Sequence, residues 1–244
     1  MTHQTHRLLT PDGIRLSVDL YSQGHRDTSI LICPGFFQSK DTPTFQRLAH
    51  ALAQDRDVLA MDFRGHGRSS GLYTFSAREG TDLETVLGFA KARYPHLMIL
   101  AFSLGGAIAI NTLSRFREPV RSLIAVSAPS SFDAIEFKWW TPEAMRTGLQ
   151  GLAPGAGCRP GNLFLKKARP IEQVPRLTPI PVLFIHGTRD VIVGVAHSRR
   201  LYAVAQEPKR LELIEGGAHA EALFRDDPHR FLDLVNGWCA HTLR

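Results

Sequence analysis

Ser103 stands between small residues at a point where a serine hydroxyl could act as a nucleophile. Residues 98–101 are apolar and predict a buried strand, and a helical pattern begins at Leu104. A tight strand-to-helix turn would expose the serine, and such a turn accepts only small residues two positions away, here Ala101 and Gly105. The N-terminus of the helix would stabilise the negative charge that develops in acyl transfer. Alone, the pattern is also typical of a phosphate-binding turn or of plain strand-to-helix packing.

An aspartate and a histidine follow Ser103 in an order that could complete a catalytic triad. Asp190 lies 87 residues further on, just beyond an apolar run, and His219 lies 29 residues after Asp190, in a glycine-rich turn that follows the last run. Because the carboxyl ends of parallel strands meet at one edge of a sheet, the three side chains can converge. The hydroxyl of Ser103 would attack, His219 would accept its proton, and Asp190 would fix the tautomer of the histidine and stabilise the imidazolium.

Six short apolar runs alternate with longer helical patterns and would position these side chains. The runs are mostly unbroken, as expected for parallel strands covered on both faces; they occupy residues 30–33, 58–61, 98–101, 123–126, 182–185 and 210–214. Helical patterns cover residues 44–53, 81–93, 104–116, 195–205 and 228–241. Thr81 with Glu84 predicts a capping box at the start of the second helix. Residues 14–21 alternate apolar and polar side chains and predict a half-buried antiparallel strand, so the chain is expected to have an α/β fold.

The stretch 129–181 interrupts this alternation. It holds about fifty residues, too many for a plain loop in a compact domain, so we expect a cap or lid at 129–181, inserted into a core formed by residues 1–128 and 182–244. Two residues of the insertion, Trp139 and Trp140, could line a substrate pocket together with Phe37 and Phe102, or could form a small core of the cap itself. The insertion is also basic, which indicates either a solvated face or the attraction of an acidic substrate, such as a phospholipid or a coenzyme A thioester. Its basic side chains are Lys138, Lys166, Lys167 and Arg169.

The chain resembles the serine hydrolases of the α/β-hydrolase fold over nearly its whole length. The resemblance rests on the three candidate residues in order, on Pro-Gly-Phe at 34–36, and on Asp-Phe-Arg-Gly-His-Gly-Arg-Ser at 62–69. It implies a mostly parallel sheet of about eight strands with helices on both faces. It also implies esterase, lipase or serine aminopeptidase chemistry, with a carboxylic ester cleaved through an acyl-enzyme on Ser103. The family's oxyanion hole would use the backbone N–H groups of Phe36 and Leu104. Thioester, amide or peptide hydrolysis, perhydrolysis and carbon–carbon bond cleavage remain alternatives, because the same machinery serves them.

Several residues near the motifs have competing interpretations. Some members of the family carry the acid after an earlier strand, and here Asp133 is that alternative to Asp190. The His-Gly-x-x-Asp context favours Asp190. Asp62, His66 and His186 stand beside glycine-rich turns at strand ends, and we interpret them as structural.

Composition excludes several classes of protein. The chain has 29 Lys and Arg against 23 Asp and Glu, a net charge of +6, and the cations are dispersed, so no nucleic-acid partner is expected. Three scattered cysteines and dispersed histidines form no redox pair or metal site, so neither a metal nor a cofactor is expected. The sequence lacks a signal-peptide core and a bilayer-spanning apolar stretch. We therefore expect a cytoplasmic protein that acts on a small-molecule acyl substrate without stable membrane insertion; its oligomeric state has no signal in the sequence.

Overall fold

One sheet of eight strands forms the centre of the protein. The computed structural model describes residues 1–24, 26–116, 120–132 and 154–243. Within them, strands β1 to β8 are Thr2–Leu9, Arg15–Ser22, Thr28–Cys33, Asp57–Met61, His96–Phe102, Ser122–Val126, Val182–Gly187 and Lys209–Ile214. Their order across the sheet is β1-β2-β4-β3-β5-β6-β7-β8. The six predicted apolar runs are β3 to β8, and all of them pair in parallel. The expected mostly parallel sheet is confirmed.

Helices cover both faces of this sheet. In the described parts of the chain, helices α1 to α7 are Pro43–Leu52, Glu79–Lys91, Leu104–Leu113, Pro170–Gln173, Ala196–Val204, Ala222–Asp226 and Pro228–Thr242, with a 3-10 turn at Val174–Leu177. Apolar residues of α1, α6 and α7 pack against one face, and those of α2, α3 and α5 pack against the other. The five predicted helices are confirmed to within about three residues at each end, the usual uncertainty of such boundaries.

Helices on both faces explain why the inner strands β3 to β7 are mostly apolar. Alternate side chains of a strand point to opposite faces. In β3, Leu31 and Cys33 join the core under α2 and α3, whereas Ile30 and Ile32 join the core under α1 and α7. Both sets are fully buried. A polar residue on either face would lose its hydration, so each face selects for apolar side chains.

The segment 14–21 forms β2, antiparallel to β1 and β4 as predicted, but the expectation that it is half-buried is wrong. Ser17 and Asp19, on its polar face, are 0% and 2% exposed. The backbone N–H of Ser17 donates to Ser69 Oγ at 2.9 Å, and Lys40 Nζ, itself buried, lies 2.9 Å from Asp19 Oδ2. Loop residues therefore cover this face and pair with the Ser17 backbone and the Asp19 carboxylate.

The predicted capping box at Thr81 is also wrong. Helix α2 begins two residues earlier, at Glu79, and its N-cap, Arg78, makes no side-chain cap. Instead the Glu79 carboxylate accepts the backbone N–H of Arg78 at 3.2 Å and the hydroxyl of Thr74 at 3.0 Å. Thr81 thus lies inside the first turn, where its backbone N–H donates to Arg78 O at 3.1 Å, and the buried Glu79 carboxylate accepts the N–H of the actual N-cap residue.

The described part of the segment 129–181 lies against the core. Arg159 donates its backbone N–H to Gly65 O at 2.7 Å, and its carbonyl accepts the N–H of Tyr73 at 2.8 Å. Further along, Asn111 Nδ2 on α3 donates to Ala168 O at 3.0 Å. Within the 3-10 turn, Val174 and Leu177 are buried in the same core as α3. The last part of the segment is therefore packed as core, whereas residues 133–153 lie outside the described residues.

Candidate active site

Ser103 occupies a sharp turn between β5 and α3. Its backbone has φ 49° and ψ −119°, a conformation that residues other than glycine rarely adopt. Close packing surrounds the turn: a Cβ on Gly105 would lie 2.4 Å from the carbonyl oxygen of Pro34, and a Cβ on Gly35 would lie 3.0 Å from Cβ of Ser103. A side chain at position 105 would therefore clash with backbone, and one at position 35 would crowd the serine. The turn lifts the hydroxyl out of the strand, toward the loops at the sheet edge.

The structure brings Ser103, His219 and Asp190 together in one hydrogen-bonded chain. His219 Nε2 lies 2.9 Å from Ser103 Oγ, and His219 Nδ1 lies 2.7 Å from Asp190 Oδ2. The other carboxylate oxygen of Asp190 accepts the backbone N–H groups of Ile192 at 3.0 Å and Val193 at 2.9 Å. Because an ionised carboxylate only accepts, the proton of the neutral ring is on Nδ1, and Nε2 is free to accept from the serine hydroxyl.

The topology explains this convergence over large sequence separations. Ser103 directly follows β5, Asp190 lies three residues after β7, and His219 lies five residues after β8. All three strands are parallel, so their carboxyl ends lie at the same edge of the sheet. The carboxylate of Asp190 is fully buried, while the His219 side chain is 12% exposed. The imidazole is therefore accessible and the carboxylate beside it is shielded.

Charge partners outweigh burial at both titrating groups. Burial alone would raise the pKa of Asp190, but the imidazoles of His219 and His186 hold that pKa below its ordinary range. Burial alone would lower the pKa of His219, yet the Asp190 carboxylate, with a smaller contribution from Glu221, raises it above the ordinary value of 6.5. The acid is therefore ionised, and the imidazolium of His219 is stabilised beside it.

A second, fully buried histidine lies behind Asp190. His186 Nδ1 is 2.6 Å from Ser198 Oγ, and His186 Nε2 is 2.7 Å from the carbonyl oxygen of Val193 and within reach of the Asp190 carboxylate. We interpreted His186 as structural, but no local motif predicted that it would contact Ser198, which lies on α5.

The Pro-Gly-Phe loop and the start of α3 meet beside Ser103. Leu104 is the first residue of α3, and the first N–H groups of a helix have no partner within it. Gly35 approaches Ser103 within van der Waals distance, which puts the backbone of Phe36 next to the same turn. These are the two N–H groups that the sequence resemblance suggests for an oxyanion hole.

His66 holds the loop that contains Phe36. Its Nε2 accepts the backbone N–H of Phe37 at 3.3 Å, and its Nδ1 lies 3.2 Å from the carbonyl oxygen of Arg64. Burial lowers the pKa of His66 to about 4, so the ring is neutral at physiological pH. Since Arg64 O can only accept, Nδ1 carries the proton and Nε2 is the acceptor for Phe37.

Aromatic rings form a partly exposed rim at this position. The side chains of Phe36 and Phe37 are 38% and 40% exposed, and their rings meet edge to face at 4.6 Å. Phe36 also stacks on Tyr73 at 5.4 Å and contacts Phe75 at 5.8 Å. Sequence reasoning singled out Phe37 but missed Tyr73 and Phe75, which follow the glycine-rich motif of residues 62–69 and carry no motif of their own.

The expectation that Phe102 lines the pocket is wrong. Its side chain is fully buried and packs between Phe45, at 5.1 Å between ring centroids, and Phe231, at 6.0 Å. The alternation of β5 turns this ring into the core under α1 and α7, away from the turn that carries Ser103. The other two expected pocket residues, Trp139 and Trp140, and the alternative acid Asp133 lie outside the described residues.

Metal-binding clusters and membrane-spanning helices are both absent from the residues that the structure describes. Among them, no three His, Cys, Asp or Glu side chains are grouped in a way that could hold a metal ion. None of their helices combines the length and the apolarity needed to cross a bilayer.

Comparison with known proteins decides the family. A sequence model described as alpha/beta hydrolase fold matches residues 28–167, more than half of the chain. The chain belongs to the alpha/beta hydrolase fold family. A solved structure supports the same fold for this alpha/beta hydrolase: the esterase Pf2001 of Pyrococcus furiosus superposes with a TM-score of 0.80 at 22% identity, covering 100% of this chain and 91% of that one.

Curated relatives of this alpha/beta hydrolase include proteins that are named as uncharacterized. The uncharacterized protein Rv2715 of Mycobacterium tuberculosis is 45% identical over 251 residues, which cover 80% of this chain and 71% of that protein. The uncharacterized protein YfhR of Escherichia coli is 29% identical over 171 residues, covering 68% of this chain and 54% of that protein. The match thus spans about half the length of YfhR.

Proposed function

We propose that this alpha/beta hydrolase cleaves the carboxylic ester of a small acyl substrate in the cytoplasm, through an acyl-enzyme on Ser103. The observation that carries the proposal is the chain of hydrogen bonds from Ser103 Oγ to His219 Nε2 at 2.9 Å and from His219 Nδ1 to Asp190 Oδ2 at 2.7 Å. A nucleophile, a base and an orienting acid in contact are what covalent acyl transfer needs. The description of the Pyrococcus furiosus neighbour as an esterase is consistent with it.

The reaction follows from the positions of the protons. Ser103 Oγ attacks the ester carbonyl carbon while His219 Nε2 takes the hydroxyl proton. The imidazolium, stabilised by Asp190, then returns that proton to the leaving alcohol as the carbon–oxygen bond breaks. In the second half, His219 takes a proton from water, the resulting oxygen attacks the acyl carbon, and Ser103 regains its proton as the carboxylic acid leaves.

The negative oxygen of the tetrahedral intermediate is stabilised by the backbone N–H groups of Phe36 and Leu104. Leu104 contributes the dipole of α3 as well as its N–H. The tight approach of Gly35 and Gly105 fixes the distance between the two donor segments. A preorganised pair of donors contributes about 3 to 4 kcal/mol per donor to transition-state stabilisation in enzymes of this kind.

Substrate preference is assigned to the aromatic rim and the cap. The exposed rings of Phe36 and Phe37 favour an apolar acyl group over a charged one. We propose that the segment 129–181 is the cap over this rim and that Trp139 and Trp140 extend the rim. Its final part, which includes Val174 and Leu177, anchors the cap to the core.

A fluorophosphonate tests the nucleophile directly. Intact mass should increase by one adduct on the native protein and by none on Ser103→Ala. Ser114→Ala is the matched control, because Ser114 lies at the other end of the same helix and should leave the adduct unchanged. No adduct on the native protein, or an undiminished adduct on Ser103→Ala, would overturn the proposal.

The leaving group is tested separately. A panel of p-nitrophenyl esters of increasing acyl length is assayed beside acyl-coenzyme A, aminoacyl anilides and an ester with added hydrogen peroxide. We expect the highest kcat/KM for esters. A higher kcat/KM for thioesters or anilides would reassign the enzyme to those substrates, and faster acyl release with peroxide would indicate perhydrolysis, all with the same three residues.

A further inference from the structure

Four arginines surround an open cleft that is separate from the site of Ser103. Its main lining side chains are Arg7, Arg15, Arg68, Arg159, Ser69 and Ser70. The cleft has a volume of about 710 Å³, and none of Ser103, Asp190 and His219 lines it. Arg7 belongs to β1 and Arg15 to β2, at the antiparallel edge of the sheet. No aspartate or glutamate is among the lining residues.

Main-chain carbonyls, not carboxylates, hold two of these guanidinium groups. Arg7 Nη1 donates to the carbonyl oxygen of Arg68 at 2.7 Å, and Arg159 Nη2 donates to that of Ser69. A carbonyl fixes the direction of a guanidinium without neutralising its charge. Among the described residues, carboxylates form no ion pair with Arg7, Arg15 or Arg159; Arg68 alone has one, with Asp41 at 2.9 Å.

A neighbouring arginine illustrates the opposite arrangement. Arg64, in the same glycine-rich turn, pairs with Asp82 at 2.6 Å and with Asp12 at 2.7 Å. Its charge is fully compensated, as expected for an arginine that stabilises a buried turn. The cleft therefore differs from its surroundings, because three of its four guanidinium groups have no carboxylate ion-pair partner among the described residues.

An anion with several oxygens fits this arrangement. Guanidinium groups present planar pairs of N–H donors that match phosphate oxygens in bidentate geometry. Anchoring on carbonyls also reduces the side-chain entropy lost when a ligand binds. The exposed side chain of Leu72, 56% accessible, lines the same cleft and offers an apolar contact for the part of a ligand beyond its phosphate.

We propose that this cleft binds the terminal phosphate group of a ligand, with the guanidinium groups that lack a carboxylate ion pair in the described part of the chain, those of Arg7, Arg15 and Arg159, as its donors. The phosphate belongs either to a free phosphomonoester or diphosphate, or to a lipid headgroup of the same chemistry. The site is independent of the proposed ester hydrolysis, so Ser103→Ala should bind the phosphate ligand with unchanged affinity.

Two probes test the proposal on the full chain. Pyrophosphate is titrated into the protein by calorimetry at low and at physiological salt, and sedimentation is measured with phosphatidylcholine vesicles that contain phosphatidic acid. Vesicles with phosphatidylglycerol, a phosphodiester of similar charge, serve as the reference. We expect binding of at least one phosphate-monoester-type probe, weakened by salt because the pairing is electrostatic.

A matched pair of double variants locates the binding. Arg15→Ala/Arg159→Ala should weaken affinity at least tenfold, whereas Arg199→Ala/Arg200→Ala, two exposed arginines on α5 with the same loss of charge, should change it less than twofold. Arg15→Ala alone removes one exposed side chain, which should not affect folding, and should also weaken the affinity for the probe. Pyrophosphate binding alone assigns a soluble ligand, and binding only to phosphatidic acid vesicles assigns a headgroup. No binding of either probe, equal binding to phosphatidylglycerol, or an equal loss in both double variants would overturn the proposal.

Discussion

His186 Nε2 lies 3.2 Å from Asp190 Oδ2, the same oxygen that lies 2.7 Å from His219 Nδ1. The other neighbour of His186 Nε2 is a carbonyl oxygen, so both of its partners are acceptors and this nitrogen must carry a proton. The hydroxyl of Ser198 contacts the opposite ring nitrogen. That proton is donated to Val193 O at 2.7 Å, so His186 is held in place as a polar neighbour of the Asp190 carboxylate, behind the proposed catalytic acid.

Replacing His186 should affect catalysis through Asp190. His186→Leu removes the imidazole N–H that lies 3.2 Å from the Asp190 carboxylate and leaves Val193 O without its donor, so we expect kcat to fall by up to about tenfold. Without His186, the negative charge of Asp190 would stabilise the His219 imidazolium more strongly. The pKa of His219 would rise, so the loss of kcat/KM on acidification would begin at a higher pH. Ser198→Ala keeps the ring and should have a smaller effect in the same direction. A loss of stability with an unchanged pH profile would indicate a purely structural residue.

The pH profile should depend on Glu221. His219 accepts the serine proton only when it is neutral, and its pKa is raised above 6.5 by Asp190 and Glu221. Activity should therefore decrease as the pH falls through a value above 6.5. Glu221→Gln removes one of the two negative charges and lowers the pKa of His219, so the acid limb should move to lower pH while kcat at pH 9 is retained. An unchanged limb would contradict this electrostatic role.

The identity of the acid can be decided by a pair of amides. Asp190→Asn leaves Nδ1 of His219 without a charged acceptor and should lower kcat on the order of 10⁴-fold, as in other Ser-His-Asp triads. Asp133→Asn, at the alternative position, should leave kcat within about twofold, because Asp190 already accepts from His219 Nδ1 at 2.7 Å. Initial rates on one p-nitrophenyl ester measure both, and the reverse pattern would assign the role to Asp133.

Sequence patterns predicted the inner strands of the sheet but not the edge strand β1. Strands β3 to β7 were recognisable because their side chains are buried on both faces, whereas β8, at the other edge, is only partly buried and was recognised from its apolar residues Leu211, Leu213 and Ile214. The first four residues of β1 are exposed, and the strand pairs with β2 from Thr2 opposite Ser22 to Leu9 opposite Arg15. The pairing of β1 with β2 is made by backbone groups, which nearly every residue provides. The polar side chains of β1 therefore did not indicate a strand.

In the candidate site, too, some residues could be predicted from local motifs and others could not. Ser103, Asp190 and His219 are marked by local glycine-rich motifs, and the strand order brings them together. Ser198 lies near its partner only through tertiary packing, which one sequence does not reveal. Phe102 is a different case: it is adjacent to Ser103 in the chain, but a period of two along β5 already directs its side chain into the core.

His66 should support the oxyanion loop without touching the substrate. His66→Leu keeps the volume of the ring but removes the acceptor of the Phe37 N–H, 3.3 Å away. We expect kcat to fall about tenfold, the scale of one misplaced donor in an oxyanion hole or less, with KM changed less than twofold. His229→Leu, an exposed histidine on α7, is the control. A raised KM with a normal kcat would instead make His66 part of the substrate pocket.

Two glycine-to-alanine substitutions should have opposite effects on stability. A Cβ at Gly105 would lie 2.4 Å from the carbonyl oxygen of Pro34 and 2.6 Å from that of Cys33, so the backbone must move. Overpacking of this kind destabilises by about 1 to 3 kcal/mol, and the movement displaces the loop that carries Phe36. We therefore expect Gly105→Ala to lower both the urea midpoint and kcat.

Gly88→Ala is the matched control within a helix. Gly88 lies in α2, where an added methyl group would have no neighbouring atom within 4 Å, and its side of the helix is exposed. Alanine at such a position stabilises a helix by about 0.5 to 1 kcal/mol, because glycine loses more backbone entropy on folding. The urea midpoint should rise and kcat should stay unchanged. Equal effects of the two substitutions would contradict a role for close packing at Gly105, since both add the same methyl group.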